Sequence, residues 1–209
     1  MAVDSYANLK SALSDYLARS DLDTFRDDFI DRAEAYFNRY FMRCGPPYQM
    51  EEETTLTTDS SGNATLPSDI LGIRSARFSS SPNTELIPVS MGGENRLSPY
   101  DTASSPAHWF SVSGTTFRIT PIVDAASVVL TYYEKVPALD ATTTTNWLLD
   151  LAPDAYFYRA LAEGFTFSRK FDVAAGFAGV ADRALGEVCT VSTQTRYHNA
   201  EIVFTGVAP

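Results

Sequence analysis

His108, His198, Cys44 and Cys189 are the whole supply of imidazole and thiol in this chain of 209 residues, so nucleophilic or metal chemistry has to start from them. His108 stands beside Trp109 with no serine, cysteine or carboxylate at a motif spacing, and His198 lies near the C-terminus. The HExxH, GxSxG and Walker patterns, which place a metal, an activated serine or a phosphate cradle, do not occur. Met91-Gly92-Gly93-Glu94 is a glycine turn with no lysine behind it. The cysteines are far apart in sequence and lack CxxC or Cys/His spacing, so they read as two thiols in a reducing cytoplasm, not as a disulfide or metal site. Among the carboxylates, Asp124 and Glu134 are expected to be neighbours across strands, a pair that acid–base hydrolysis would need inside a cleft. Trp109, Trp147, Tyr132 and Tyr133 offer rings that could stack on sugars, but a place between a strand and a helix suits packing better. No catalytic, cofactor-binding or metal-binding residue is assigned on these patterns.

Composition narrows the partners. Apolar residues make up 44% and charged residues 20%, enough to bury a substantial core. The net charge of −10 and the lack of any basic block argue against gripping nucleic acid along the surface, although an acidic wall would let DNA slide past. The start, MAVDSYANLK, has no signal-peptide regions, and no apolar run approaches the roughly 20 residues of a membrane span.

The elements that would position these groups follow from hydrophobic period. Asp4 or Ser5 can cap a helix whose inward positions are Leu9, Ala12, Leu13, Tyr16 and Leu17. Ser20 and Asp21 then start a second helix, with Phe25, Phe29, Ile30, Ala33, Tyr36, Phe37, Tyr40 and Phe41 on one stripe and Glu34 among the charges opposite. Cys44-Gly45-Pro46-Pro47 stops it. From Tyr48 to Lys135 the period is two. Six or seven short strands are expected, among them Ala64–Leu66 returning onto the first strand, a hairpin through Ser113-Gly114, and a long loop from Ser90 to Pro106. Pro153 can open a further helix, and a tight turn near Lys170–Asp172 leads into another bearing Val173, Phe177, Val180, Ala181, Ala184, Leu185 and Val188. Past Thr190 the helical signal stops.

The expected fold is α+β. Residues 1–47 and 150–192 form a four-helix bundle from both chain ends. Residues 48–149 form an inserted antiparallel β-sandwich or barrel-like domain with a junction loop, in which Tyr132, Tyr133, Pro137 and Trp147 mark the junction. Residues 193–209 form an extended tail. Ala174, Phe177, Ala178 and Ala181 lie on a face of small side chains that would let a helix approach a neighbour closely.

Three segments carry a family resemblance: TYYEKVPAL at Thr131–Leu139, TNWLL at Thr145–Leu149 and PDAYFYRAL at Pro153–Leu161. The opening helices, Ser11–Met42, and LPSDIL at Leu66–Leu71 add to it, and the resemblance covers most of the chain. Together they resemble the head-tail adaptor, or head-completion, proteins of short-tailed bacteriophages, of the tail-tubular-protein type. The sequence departs from that pattern at Arg169–Gly176, where the family has an Asp-rich turn. The resemblance implies a non-enzymatic virion protein of the neck, made in the host cytoplasm. It implies a ring of twelve that joins the portal protein to the tail or nozzle protein, with DNA passing through its lumen unbound. It also implies that the tail, with Arg196, Tyr197, Ile202, Val203, Phe204 and Val207, contacts the portal. The competing reading is a carbohydrate-binding β-module carried on helices, using Trp109, Trp147 and nearby tyrosines.

Overall fold

The computed structural model describes residues 3–90 and 109–197. His108, His198, the Met91–Glu94 turn, most of the expected Ser90–Pro106 loop, and Ile202, Val203, Phe204 and Val207 lie outside the described residues. The fold is mixed α+β and separates into two compact units. One takes the chain through Gln49 and again from Val136; the other is Met50–Lys135.

In the first unit, Ser5 caps α1 (Tyr6–Leu17) by accepting from the Asn8 N–H, and Leu9, Ala12, Leu13 and Leu17 are buried. Tyr16, expected inward, is 62% exposed and meets the Phe157 ring edge-on at 4.9 Å. It sits at the rim of the apolar stripe, where a phenol can bury one edge and wet the other. Ser20 and Asp21 belong to a 3-10 turn, Ser20–Phe25, and α2 begins only at Arg26 and runs to Cys44. Gly45, at φ +106°, closes α2 with its N–H on the Phe41 carbonyl. Phe29, Ile30, Ala33, Phe37 and Phe41 are fully buried, and each large side chain of this kind contributes roughly 2–3 kcal/mol.

Where a loop was expected, Asn146 caps a short helix α3 (Trp147–Leu151). Pro153 occupies the first position of α4 (Pro153–Phe167), since a missing N–H costs nothing there. The tight turn that follows holds Arg169 at φ +60° and delivers the chain to α5 (Phe171–Tyr197). Helix α4 is central and touches α1, α2, α3 and α5. The Phe37 and Tyr156 rings lie 4.8 Å apart, and Phe29 and Phe167 5.7 Å apart, so the two chain ends share one core. At Gly164 a Cβ would come within 3.0 Å of Leu17, so glycine sets how closely α1 crosses α4. The helical signal was expected to fail past Thr190, yet α5 continues to Tyr197, which makes Arg196 and Tyr197 helical instead of parts of an extended tail. Contacts with the end of α2, described below, hold that stretch where propensity does not.

The second unit contains β1 (Glu51–Thr57), β2 (Asn63–Thr65), β3 (Ile70–Phe78), β4 (Ser81–Glu85), β5 (Ile87–Pro88), β6 (Trp109–Ser113), β7 (Thr116–Thr120) and β8 (Ser127–Glu134). They form two four-stranded sheets, ordered β1-β8-β3-β4 and β2-β7-β6-β5, and neither sheet closes into a barrel. Leu56, Ala76, Phe78, Val128 and Leu130 from the first sheet share one core with Ala64, Phe110, Phe117 and Ile119 from the second. Two expectations are corrected. β2 pairs with β7, not β1, and β5 lies parallel to β6, so the strands are not uniformly antiparallel. The reason for the first lies in the turn. Asp59 Oδ1 accepts from the Ser61 and Asn63 N–H groups, and Gly62 at φ +74° passes so close to the Ile119 carbonyl that a Cβ would lie 3.2 Å from it. That turn carries the chain across to the opposite sheet instead of folding it back on β1.

Candidate functional site

The later half of α5 is fastened at several points to α2 and to the corner that follows it. Tyr36 Oη donates to Asp182 Oδ1 at 2.6 Å and Tyr40 Oη to the Asp182 carbonyl at 3.0 Å, tying α2 to the middle of α5. Burial and the Asp182 carboxylate push the Tyr36 phenol above its ordinary pKa, so this donor keeps its proton. The Arg159 guanidinium lies over the Tyr36 ring, 3.7 Å from its centroid, and pairs with Glu163 one turn along α4. Two turns beyond Asp182, Cys44 and Cys189 are joined in a disulfide, with Cα atoms 6.7 Å apart. Reading them as two separate thiols is therefore corrected. The last turn of α2 and the later turns of α5 run side by side, and distance along the chain says nothing about that adjacency. Next, Ser192 Oγ accepts from the Tyr48 N–H at 2.9 Å, and Arg196 Nη2 donates to the Pro46 carbonyl at 3.2 Å. The Cys44–Tyr48 corner thus holds three successive points of α5.

A buried polar network fastens the segment that re-enters the helical unit. Glu34, 5% exposed on α2, accepts through Oε1 from the Leu139 N–H at 2.8 Å and from Tyr156 Oη at 3.3 Å. Asn146 Nδ2 donates to Tyr156 Oη and to the Pro137 carbonyl, each at 2.6 Å, while its Oδ1 caps α3 through the Leu149 N–H. Burial raises the Glu34 carboxyl to about pKa 7, against hydrogen bonds from Leu139 and Tyr156 that favour the charged form. Burial, then the Glu34 charge, raises the Tyr156 phenol. Every polar atom named here has a protein partner, so the arrangement locks three segments together and presents no group to a substrate.

The residues singled out in sequence do not gather at one place. Tyr132 is buried in the β core, and Tyr133, on the opposite face of β8, is half-buried. Pro137 and Trp147 belong to the helical unit, where Trp147 packs against Phe41 at 5.8 Å. Trp109 starts β6 in the other unit, so the two tryptophans form no shared stacking face within either. Ala174 and Ala181 are buried inside the chain, which uses their small size for the approach of α5 to its own neighbours. Phe177 stacks on Tyr158 at 5.9 Å and on Phe165 at 5.4 Å, and it and Ala178 are half-buried. A Cβ at Gly176 or Gly179 would meet nothing within 4 Å, leaving an open strip beside them.

Asp124 lies in the turn before β8 and Glu134 is the last residue of that strand, so the two are not neighbours. Glu134 instead faces Asp69 and Glu52, and burial with those charges holds its carboxyl above the usual range. A cleft of about 460 Å³ in this unit, between β3 and β6, is lined by Ile70, Ile73, Leu86, Phe110 and Val112 and includes neither Asp69 nor Glu134. No group of three or more His, Cys, Asp or Glu among the described residues is arranged to hold a metal ion. No helix among them is long and apolar enough to cross a membrane. The helical unit does expose large apolar groups: Tyr16, Phe25, Leu151, Phe167, Phe171, Val173 and Val191 are each at least 38% exposed.

Two contributors were missed in sequence. Glu34 follows Ile30 by four and precedes Phe37 and Phe41 by three and seven, so the stripe itself places it inward. Asn146, directly before the apolar WLL, carries an N-cap signature. Ser192 and Asp182 had no comparable signal.

Compared with known families, the chain matches SU10 adaptor protein from residue 4 to residue 203, nearly its whole length. No curated protein matches it.

Proposed function

Because the chain belongs to the SU10 adaptor protein family, and is therefore a structural adaptor of a bacteriophage particle, we propose that it forms the neck ring connecting the portal to the tail. The family match over nearly the whole chain carries this reading. In it, twelve copies, made in the host cytoplasm, assemble beneath the portal, and the helices from both chain ends act in each as a four-helix bundle. Neighbours pack through exposed helical faces, including the open strip at Gly176 and Gly179 beside Phe177 and Ala178. Each contact is head-to-tail and closes by rotation. Residues 198–209, with Ile202, Val203, Phe204 and Val207, form an arm that docks on the portal from the base set by Arg196 and Tyr197. The β unit meets the tail or nozzle protein. An acidic lumen repels phosphate, so DNA passes without binding.

The purified chain mixed with portal rings tests this. Twelve copies of 22.9 kDa add about 275 kDa to the complex on mass analysis. A chain ending at Tyr197 is expected to lose docking while its melting transition moves by no more than about 2 °C, since the removed residues follow the last fastening point. A truncated chain that still docks removes the arm's role, and a full-length chain that never binds portal removes the ring reading.

A further inference from the structure

The Cys44–Cys189 disulfide lies close to the described end of the chain. It joins the last residue of α2 to α5 two turns before the described end of that helix. Beyond Cys189 the helix has little apolar burial of its own. Val191 is 53% exposed, Thr193, Gln194 and Thr195 face solvent, and Ser192 is buried. Thr190, Val191, Thr193 and Thr195 are β-branched and weak helix formers. Besides the disulfide, the Tyr48–Ser192 and Arg196–Pro46 hydrogen bonds join this stretch to the Cys44–Tyr48 corner. Cys44 is exposed and Cys189 is buried, so one sulfur is open to exchange and the other is shielded.

We propose that Cys44–Cys189 is a redox latch that fixes where the 198–209 arm leaves the helical unit, closed under oxidising conditions and open under reducing ones. The proposal rests on the reading of residues 198–209 as a docking arm. In closing, the Cys44 thiolate attacks a small disulfide oxidant such as glutathione disulfide, forming a mixed disulfide and releasing one glutathione thiolate. The Cys189 thiolate then attacks the Cys44 sulfur, forms the intramolecular bond and expels the second glutathione. Two protons lost by the cysteines are taken up by the two glutathiones, and two electrons pass to the oxidant. With the bond closed, the final turns of α5 stay wound and the arm starts from a fixed point. With it open they fray, and docking must first order them.

The full-length chain, oxidised with glutathione disulfide or reduced with dithiothreitol, tests the latch. Thiol titration under denaturing conditions should count none per chain after oxidation and two after reduction. Amide exchange over residues 190–197 should be at least tenfold faster in the reduced chain, with α4 and β8 unchanged within twofold. Cys44→Ser should exchange like the reduced chain in both media. Should that variant fail to fold, reoxidation of the reduced wild type must restore the slow exchange. Portal rings should bind the oxidised chain at least tenfold more tightly. Two titratable thiols after oxidation, or exchange over 190–197 that differs by less than twofold, overturns the latch. If exchange responds as expected but neither form binds portal, the latch stands and the arm's docking role falls.

Discussion

Replacing Glu34 by glutamine isolates the cost of keeping one carboxyl away from water. In the folded chain burial raises this group from 4.5 to about 7, and it is only 5% exposed. Below pH 4.5 the group is protonated whether the chain is folded or not, and it adds no pH dependence. Between about pH 4.5 and 7 the unfolded chain releases the proton while the folded chain retains it, so stability falls as pH rises; above 7 the loss is complete. A displacement of about 2.5 pH units at 1.36 kcal/mol each sets the size at about 3 kcal/mol. The glutamine oxygen can still accept from the Leu139 N–H, and the variant cannot titrate. Subtracting the variant's curve from the wild type's cancels the carboxylates common to both. The difference is expected to fall by about 3 kcal/mol from pH 4 to pH 8, or about 6–12 °C in melting temperature for a chain of this size. Urea titrations at half-unit pH steps in a Trp109→Phe background would follow Trp147 as reporter of the helical unit, where it packs on Phe41. Curves that stay parallel within about 0.5 kcal/mol over that range would refute the desolvation of Glu34.

Three further substitutions probe separate pieces. Asn146→Ala removes the α3 cap and the bonds to Pro137 and Tyr156, and is expected to cost about 2–3 kcal/mol by urea unfolding. Gly164→Val drives a side chain into Leu17 and should destabilise the helical unit by about 1–3 kcal/mol, read by far-ultraviolet circular dichroism. Phe117→Ala empties a fully buried position stacked on Phe110 and should cost about 3–5 kcal/mol. Its effect is expected in the amide exchange of β6, β7 and β8, with α2 and α4 unchanged.

Much of this architecture is legible in residue order, because burial imposes period directly. Phe29, Ile30, Ala33, Phe37 and Phe41 on α2 and the inward set of Phe117, Ile119, Val128, Leu130 and Tyr132 are read correctly by that rule. Pro153 and Gly45 also end or begin helices where their backbones require it. Sheet membership is harder. Whether Ala64 pairs with β1 or crosses to β7 is decided by two hydrogen bonds that Asp59 accepts, and local alternation is the same in both cases. The last turns of α5 defeat a periodicity rule for another reason, since they are held by a disulfide and by hydrogen bonds to a corner some 145 residues earlier. Partner contacts leave no such internal trace. An exposed apolar side chain such as Phe171, at 63% exposure, looks in sequence like one meant for the core.

The first and last strands of the β unit lie side by side, Glu51 opposite Tyr133, close to where the chain leaves the helices at Gln49 and returns at Val136. Antiparallel partners are only about 5 Å apart at their Cα atoms, so at the junction the whole lobe reduces to the two legs of a hairpin. Such a lobe is an interchangeable cassette. A shorter loop or a different sandwich can replace it wherever its two ends sit equally close.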